Sequence, residues 1–373
     1  MTVTQVLVVT NHPSGTGAAS GGVELENFAL LRAAAEAGMD HGLVTPDQAD
    51  SAMTRSNTLI FVQKSGRLGP GYEGYAQAWL DRGAWVFEKN VFALASPWRP
   101  IHERYVNIVM SEDGWQRFQF RSKAAGRPMP AVSMILGNPQ LVPPSSLMNR
   151  PTDRLRFLRI GRPDPIKWSN FEQRYAAAVA RVRPDTMIEL VRVGCPPNLV
   201  NHATEDLPNL SIVDEPYRSD ISDAYGAAHV YLHHSRIGET FGNTVAEARA
   251  AGTPVVLGAS LRWDCASVEL LTDAASVYGS PADLIRHPQA SLTRALALPS
   301  TPADLTLPSE FLAALISVTQ GGGSTLRARG LGDMHGHLRR LKRGSQWMAD
   351  QFPGAAMAIE ALRAMKTRTV IDE

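Results

Sequence analysis

Residues 233–256 read HHSRIGETFGNTVAEARAAGTPVV, in the order of a strand end, a tight loop, a helix, a turn and a new strand. Val230, Tyr231 and Leu232 make the incoming strand, and Val255, Val256 and Leu257 the outgoing one. Residues 241–251 between them are rich in helix formers. Gly252 stands where a helix end needs a positive φ, and Pro254 follows as a stop. Glu239 lies in the loop before the helix, and Glu247 lies on the helix one turn after Asn243, on the same face. A loop at the carboxyl end of a strand, with backbone N–H groups opening a helix, suits an anionic phosphate. Two carboxylates bracketing it suit hydroxyls beside that phosphate, because a carboxylate accepts two hydrogen bonds from a vicinal diol. Ribose, diphosphate and sugar in one ligand fit both features.

Outward from this segment, the chain has 373 residues, 44% hydrophobic and 20% charged. That is the profile of a soluble globular protein, too long for one ordinary core and suited to two. A formal net charge of +1 gives no global pull toward nucleic acid or anionic membrane. Cys195 and Cys265 are the only cysteines and lack a C-x-x-C spacing. They suggest neither a disulfide framework nor a zinc site and read as buried free thiols. Residues 1–9 read as a first strand rather than a signal peptide, and no run approaches the length of a membrane span. A cytoplasmic protein is expected.

The first half alternates apolar strands, over 6–10, 58–62, 84–87, 106–110 and 132–136, with helices over 23–37 and 72–81 that close at Gly38 and Gly83. Proline-dense residues 138–146 read as a linker. The second half begins with a strand at 155–160, a helix at 170–182 and a strand at 187–193; residues 211–213, 221–227 and 230–232 lead into the opening segment. This βαβ rhythm predicts an α/β protein with parallel sheets covered by helices, and ligands at the carboxyl ends of strands. Residues 320–324, QGGGS, read as a flexible joint. Beyond it Arg327, Arg329, Arg339, Arg340, Lys342 and Arg343 stand against Asp333, and 355–365 read as an apolar-faced helix. The expected divisions are 1–150, 151–344 and a terminal helical stretch, 345–373.

Glu239 and Glu247 with seven residues between them, together with Gly238, Phe241-Gly242 and the exit Ala251-Gly252-Thr253-Pro254-Val255-Val256, resemble the Glu-x7-Glu signature of the GT-B glycosyltransferases of family 4. Gly161-Arg162-Pro163-Asp164-Pro165-Ile166-Lys167 resembles that family's Gly-Arg loop with a lysine five residues after the arginine; Trp168 stands where a small residue is often found. The resemblance covers residues 1–285, with its specific motifs in the second half. It implies two doubly wound Rossmann-like domains facing each other across a cleft, the first on the acceptor side and the second binding a nucleotide-diphosphate sugar. The terminal helix is then expected to cross back onto the first domain.

The resemblance also implies roles. An arginine and a lysine reaching one point can neutralise a diphosphate and stabilise charge growing on it as the sugar leaves. Arg162, Lys167 and the amides around Thr240, Phe241, Gly242, Asn243 and Thr244 would hold the diphosphate, Glu247 the ribose and Glu239 the donor sugar hydroxyls. Gly21 and Gly22 open the first-domain helix and resemble the glycine-rich loop that closes over the donor phosphates. His12, after the first strand, faces the same cleft in that fold. Glu88 and Asn90, read as following the strand that ends at Phe87, resemble an acidic-x-Asn-x-Phe segment on the acceptor side, where Glu88 would orient the attacking hydroxyl. Asn138-Pro139 resembles the hinge entry. Residues 264–270 resemble a loop near the base, with Cys265 and Ser267 where the pattern more often has Asn and Gln.

The implied reaction is retaining sugar transfer by attack from the face that the diphosphate leaves, with no side-chain nucleophile. No metal and no other cofactor is expected: there is no Asp-x-Asp motif, and His233-His234 and His335-Gly336-His337 lack the spacing of a closed site. Two other readings stay open. The acceptor is a nucleic-acid base or a lipid-linked glycan docked by the basic 327–343 segment, which would place the protein at an anionic partner or a membrane surface. Alternatively the protein binds a sugar nucleotide without catalysis.

Overall fold

The computed structural model describes residues 2–11, 22–53, 57–63, 71–90, 102–111, 114–115, 118–119, 122, 126, 128–139, 150–199, 207–218, 221–235, 242–258, 276–298 and 306–321. They fall into two compact units. In the first, β1 (Gln5–Val9), α1 (Gly22–Glu36), β2 (Asp40–Val44), α2 (Pro46–Ala52), β3 (Thr58–Gln63), α3 (Tyr72–Asp81), β4 (Trp85–Lys89), β5 (Tyr105–Val109) and β6 (Val132–Ile135) follow one another. The six strands form one parallel sheet in the order β2-β1-β3-β4-β5-β6. All five residues of β1 and all six of β3 are buried, as expected of central strands covered on both faces.

The second unit begins with β7 (Arg154–Ile160), α4 (Phe171–Val182), β8 (Met187–Val193) and β9 (Leu210–Glu215). It continues with α5 (Ser222–Ala227), β10 (Val230–His233), α6 (Asn243–Ala250), β11 (Val255–Gly258), β12 (Ser276–Gly279), α7 (Pro281–Arg286) and α8 (Pro288–Ala297). Its sheet is also six-stranded and parallel, in the order β12-β11-β10-β7-β8-β9. This is the doubly wound order in which the direction of winding reverses between the first and fourth strands, here β7 and β10. One face packs α4 and α8 through Phe171, Tyr175 and Leu292 onto Phe157, Leu190 and Leu232. The other packs α5 and α6 through Tyr225, Val245 and Ala248 onto Leu158, Tyr231 and Leu257. Together the two sheets make the α/β architecture of GT-B glycosyltransferases.

The helix α9 (Pro308–Thr319) belongs to the first unit, not to a second domain running through 344. Its spacing explains this: Phe311, Leu312, Leu315 and Val318 lie on one helical face and are buried in the core with Leu30, Phe61 and Phe87. Phe311 meets Phe61 edge-on, with ring centroids 5.8 Å apart. Each such side chain contributes about 1.5–3 kcal/mol on burial, enough to fix the helix on this sheet. The expected terminal helix at 345–373 and the basic 327–343 segment lie outside the described residues. No described helix is long and apolar enough to cross a membrane.

Three glycine expectations hold, with Gly83 closing α3 at φ 86°. Gly38 closes α1 at φ 70° and Gly252 closes α6 at φ 68°, with the Thr253 N–H donating to the Ala248 carbonyl at 2.8 Å. The α6 helix is shorter than its helix-forming composition suggests. Gly242 takes a left-handed φ of 77° and caps it, so Asn243 is the first helical residue.

Candidate functional site

The reversal between β7 and β10 brings two strand ends together by strand pairing alone. Val230 pairs with Phe157 and Tyr231 with Leu158, so the strands end side by side at Ile160 and His233. The chain then leaves β7 toward α4 on one face and β10 toward α6 on the other. A crevice outside the carboxyl ends, at such a reversal, is where doubly wound sheets take ligands.

The loop after β7 is held from behind. Arg162 is exposed and Lys167 is half-buried. Between them the Asp164 N–H donates to the Arg162 carbonyl at 2.7 Å, and the Lys167 N–H to the Asp164 carbonyl at 2.9 Å, forming a 3-10 turn over Pro165–Lys167. The Trp168 indole N–H donates to the same Arg162 carbonyl at 2.7 Å. Trp168 is buried, and a Cβ on Gly161 would lie 3.2 Å from its Nε1, so the glycine leaves room for the indole. The next strand end comes closer still: a Cβ on Gly194 would lie 2.2 Å from the Gly161 carbonyl oxygen.

Sequence reading missed the residue that organises the loop. Arg159 is 1% exposed, inside β7. Its guanidinium donates to the Ile160 carbonyl at 2.5 Å, the Lys167 carbonyl at 2.6 Å, Glu172 Oε1 at 3.0 Å and the Tyr231 hydroxyl at 3.1 Å. It also lies 3.0 Å from His233 Nδ1 and 5.0 Å above the Trp168 ring. One planar fork thus joins both strand ends and fixes the carbonyl of Lys167. Glu172 is equally buried and also accepts from the His234 N–H at 3.1 Å. The only sequence signal for this was an arginine interrupting an apolar strand, followed by an acidic residue in the first turn of the next helix.

On the other face, Glu247 is buried on α6 and accepts from the Tyr225 hydroxyl at 2.8 Å. Burial pushes its carboxyl up to about 7, more than the Tyr225 hydrogen bond holds it down. Thr244, in the first turn of α6, hydrogen-bonds Tyr231. Tyr217 links the two sides electrostatically. Burial raises its hydroxyl pKa, Glu247 raises it further, and Arg162 lowers it. Arg162 and Glu247 therefore lie within range of one side chain. The arrangement offers cations and a helix amino end to an anion, and one buried carboxylate to a hydroxyl-bearing neighbour. His233-His234, weighed as a metal pair, are engaged otherwise: His233 with Arg159, and His234 Nδ1 with Ser169 Oγ at 2.9 Å. Among the described residues no three His, Cys, Asp or Glu side chains cluster as a metal site.

In the first unit one candidate, Glu88, differs from expectation. Glu88 does not follow a strand but lies inside β4, which runs on through Lys89, and pairs with Val62 and Asn107. Its side chain is buried and accepts from the Tyr105 hydroxyl at 2.5 Å. Asn90 stands just past the strand end, its N–H donating to the Ile108 carbonyl at 2.8 Å. Between them the fully buried Lys89 pairs with Glu26 of α1 and donates to Asn138 Oδ1 at 2.5 Å. Gly22 begins α1. His12, Gly21, Glu239, Thr240 and Phe241 lie outside the described residues, as do Cys265 and the rest of the 264–270 loop.

With this geometry in place, comparison with known proteins is specific for the second unit. Residues 154–273 match the family described as glycosyl transferases group 1. The match takes in β7 through β11, and so contains both sides of the reversal. A comparison with curated proteins finds no match. Among solved structures, a glycosyltransferase from Rickettsia africae ESF-5 is 13% identical, over 91% of this chain and 98% of that one, with a TM-score of 0.55. An E. coli protein described as trehalose-6-phosphate bound with UDP-2-fluoro glucose is 11% identical, over 84% and 96%, with a TM-score of 0.53. Anabaena HepE in complex with UDP-glucose is 13% identical, over 85% and 99%, with a TM-score of 0.51. The chain spans only 59% of the pneumococcal O-GlcNAc transferase GtfA and 55% of TarM. At these identities the structures show a shared fold.

Proposed function

We propose that the protein is a retaining, metal-independent glycosyltransferase moving a sugar from a nucleoside-diphosphate donor to an acceptor hydroxyl. The observation that carries this reading is the meeting of the Arg162–Lys167 turn with the α6 amino end and Glu247 at the β7–β10 reversal. Arg162 and Lys167 face the diphosphate, the first N–H groups of α6 add donors, and Glu247 accepts from the ribose hydroxyls. The family match over 154–273 supports the reaction class. The uridine diphosphate sugars bound by HepE and the E. coli protein make a uridine donor the first to try.

In this reading the bond between the sugar C1 and the diphosphate oxygen breaks while Arg162 and Lys167 stabilise the charge left on the diphosphate. The acceptor oxygen bonds C1 from the same face, and its proton passes to the departing diphosphate oxygen. The two cations take the part that a metal ion plays elsewhere. Glu88 and Asn90 remain the acceptor-side candidates, Glu88 with its carboxylate oriented by Tyr105.

Incubation with UDP-glucose and related donors, followed by NMR of the product anomer, tests the reaction. The expected product keeps the α configuration of the donor and forms equally in EDTA. An inverted anomer rejects the retaining mechanism, and loss of turnover in EDTA that manganese or magnesium restores rejects metal independence.

A further inference from the structure

We infer that His233 is an additional donor-site residue, whose buried Nε2–H donates to an oxygen of the bound diphosphate. This rests on reading the β7–β10 reversal as the nucleoside-diphosphate site.

His233 ends β10 and is 1% exposed. Arg159 fixes its tautomer. A guanidinium can only donate, so the 3.0 Å contact from Arg159 Nη1 makes Nδ1 the acceptor and leaves the proton on Nε2. The ring is held neutral as well. Burial, then Arg159, His234 and Lys167, keep it well below the usual histidine range. Neutral and tautomerically fixed, it has no lone pair at Nε2 for a cation unless it gives up the Arg159 bond. It is a donor on that side.

That donor has no partner: Nε2 is buried without a hydrogen bond. Buried polar groups are nearly always paired, so an orphan donor at a strand end calls for an explanation, and a ligand oxygen supplies one. The ring is not positioned to swing toward a substitute. It stacks on Tyr231 with centroids 6.1 Å apart and planes 26° apart, and Tyr231 is itself tied to Arg159 and the Ile160 carbonyl. The orphan sits at the strand end where the chain turns from β10 toward α6, within electrostatic range of Lys167.

The surroundings narrow the ligand's chemistry. Arg159, Lys167 and the first amides of α6 are donors. Glu172, the carboxylate bonded to Arg159, already accepts from Arg159, the His234 N–H and Ser169. Donors gathered among these described residues suit an acceptor-only group, and phosphate oxygens are that. A neutral imidazole adds a directed hydrogen bond there without adding a third charge.

The test uses two variants of the full chain. His233→Phe keeps the ring and its stacking on Tyr231 but removes both nitrogens. His233→Gln keeps an acceptor for Arg159 and an N–H near the position of Nε2. Calorimetry is run with UDP, GDP and ADP, then with inorganic pyrophosphate and the nucleoside of the tightest binder. His233→Phe is expected to weaken the nucleoside diphosphate and pyrophosphate by roughly 10- to 100-fold, the range for a hydrogen bond to a charged group. Nucleoside affinity should stay within about twofold, and His233→Gln should recover most of the loss. In wild-type protein labelled with 15N-histidine, the His233 Nε2–H resonance should move downfield when pyrophosphate is added. Unchanged diphosphate affinity in His233→Phe overturns the inference and leaves the site reading standing. Equal losses for nucleoside and pyrophosphate, without rescue by Gln, overturn it in favour of a packing role. If the Phe variant does not fold, an unmoved resonance in wild type overturns it. Failure of wild type to bind any of the three nucleoside diphosphates overturns the site reading, and this inference with it.

Discussion

At a strand end of the first sheet, Lys89 is buried between Glu26 and Asn138, 5.0 Å above the Phe311 ring. At a strand end of the second, Arg162 is exposed and Lys167 half-buried, with Arg159 buried behind them. Both sheets are parallel and six-stranded, and both bring polar side chains to their carboxyl ends. They differ in where those side chains sit. Lys89 lies on β4, beyond the β1–β3 reversal of the first sheet; Arg159, Arg162 and Lys167 lie on and after β7, at the reversal of the second. The comparison teaches that strand order, not the mere presence of charge, separates a structural ion pair from a candidate ligand site. Away from the reversal the cation is matched by an acid, Glu26, from its own unit. At the reversal it is positioned by a second cation.

Substituting the two buried cations sharpens this contrast and should give the largest effects. Arg159→Met and Lys89→Met each leave a buried carboxylate, Glu172 or Glu26, without its cation, and each should cost about 3–5 kcal/mol in chemical denaturation. Only Arg159→Met should also weaken donor binding in the protein that remains folded, because only Arg159 holds the Lys167 turn. Donor affinity lost equally in both would erase the distinction between the two strand ends.

Glu247 gives a smaller effect with a definite sign. Its carboxyl is raised from 4.5 to about 7 in the fold, so the neutral form is favoured by folding. That contribution is full below pH 4.5 and is lost as pH rises through about 7, a swing of about 3 kcal/mol. Glu247→Gln, which cannot ionise, should therefore be more stable than wild type at pH 8. It should also bind donor more weakly, and wild-type affinity should fall as pH drops below about 7 while that of the variant stays flat. A variant that tracks wild type in both stability and affinity across pH 5–8 would remove Glu247 from the ribose site.

The smallest effect belongs to Glu88. Glu88→Gln keeps an oxygen for Tyr105, so stability should change by about 1 kcal/mol or less. Transfer should slow by less than the roughly 10²–10⁴-fold of a general base, because in the proposed mechanism the diphosphate takes the proton. Donor affinity should be unaffected. Transfer at the wild-type rate would leave Glu88 as a partner of Tyr105 alone.

The strong apolar periodicities were legible in the sequence. Tyr72–Asp81 and Met187–Val193 appear with the bounds their patterns predict, and the loop-helix-turn of 233–256 ends at Gly252 as its chemistry requires. The edge strand β2 was not legible, since Asp40, His41 and Gly42 carry no apolar run. Helix α2 was missed although Thr45 and Gln48 form a capping box before it. The site was half legible. Arg162, Lys167 and Glu247 stood out because the segments that carry them resemble the motifs of a known family. Arg159 and His233 did not, because they act through partners distant in sequence: Arg159 reaches His233 across 74 positions. Glu88 was read as following the strand that ends at Phe87, yet the strand runs on and Tyr105 on the neighbouring strand satisfies its carboxylate inside the sheet.

The most direct measurement is calorimetric titration of UDP, and of whichever nucleoside diphosphate binds more tightly, into wild type and the Arg162→Ala/Lys167→Ala double variant. Both side chains leave the loop backbone to Arg159 and Trp168, so the variant should keep its thermal midpoint. Two charge-assisted contacts of about 1.5–3 kcal/mol each predict affinity weaker by at least roughly 100-fold. A folded double variant with wild-type affinity would contradict the placement of the diphosphate at the β7–β10 reversal.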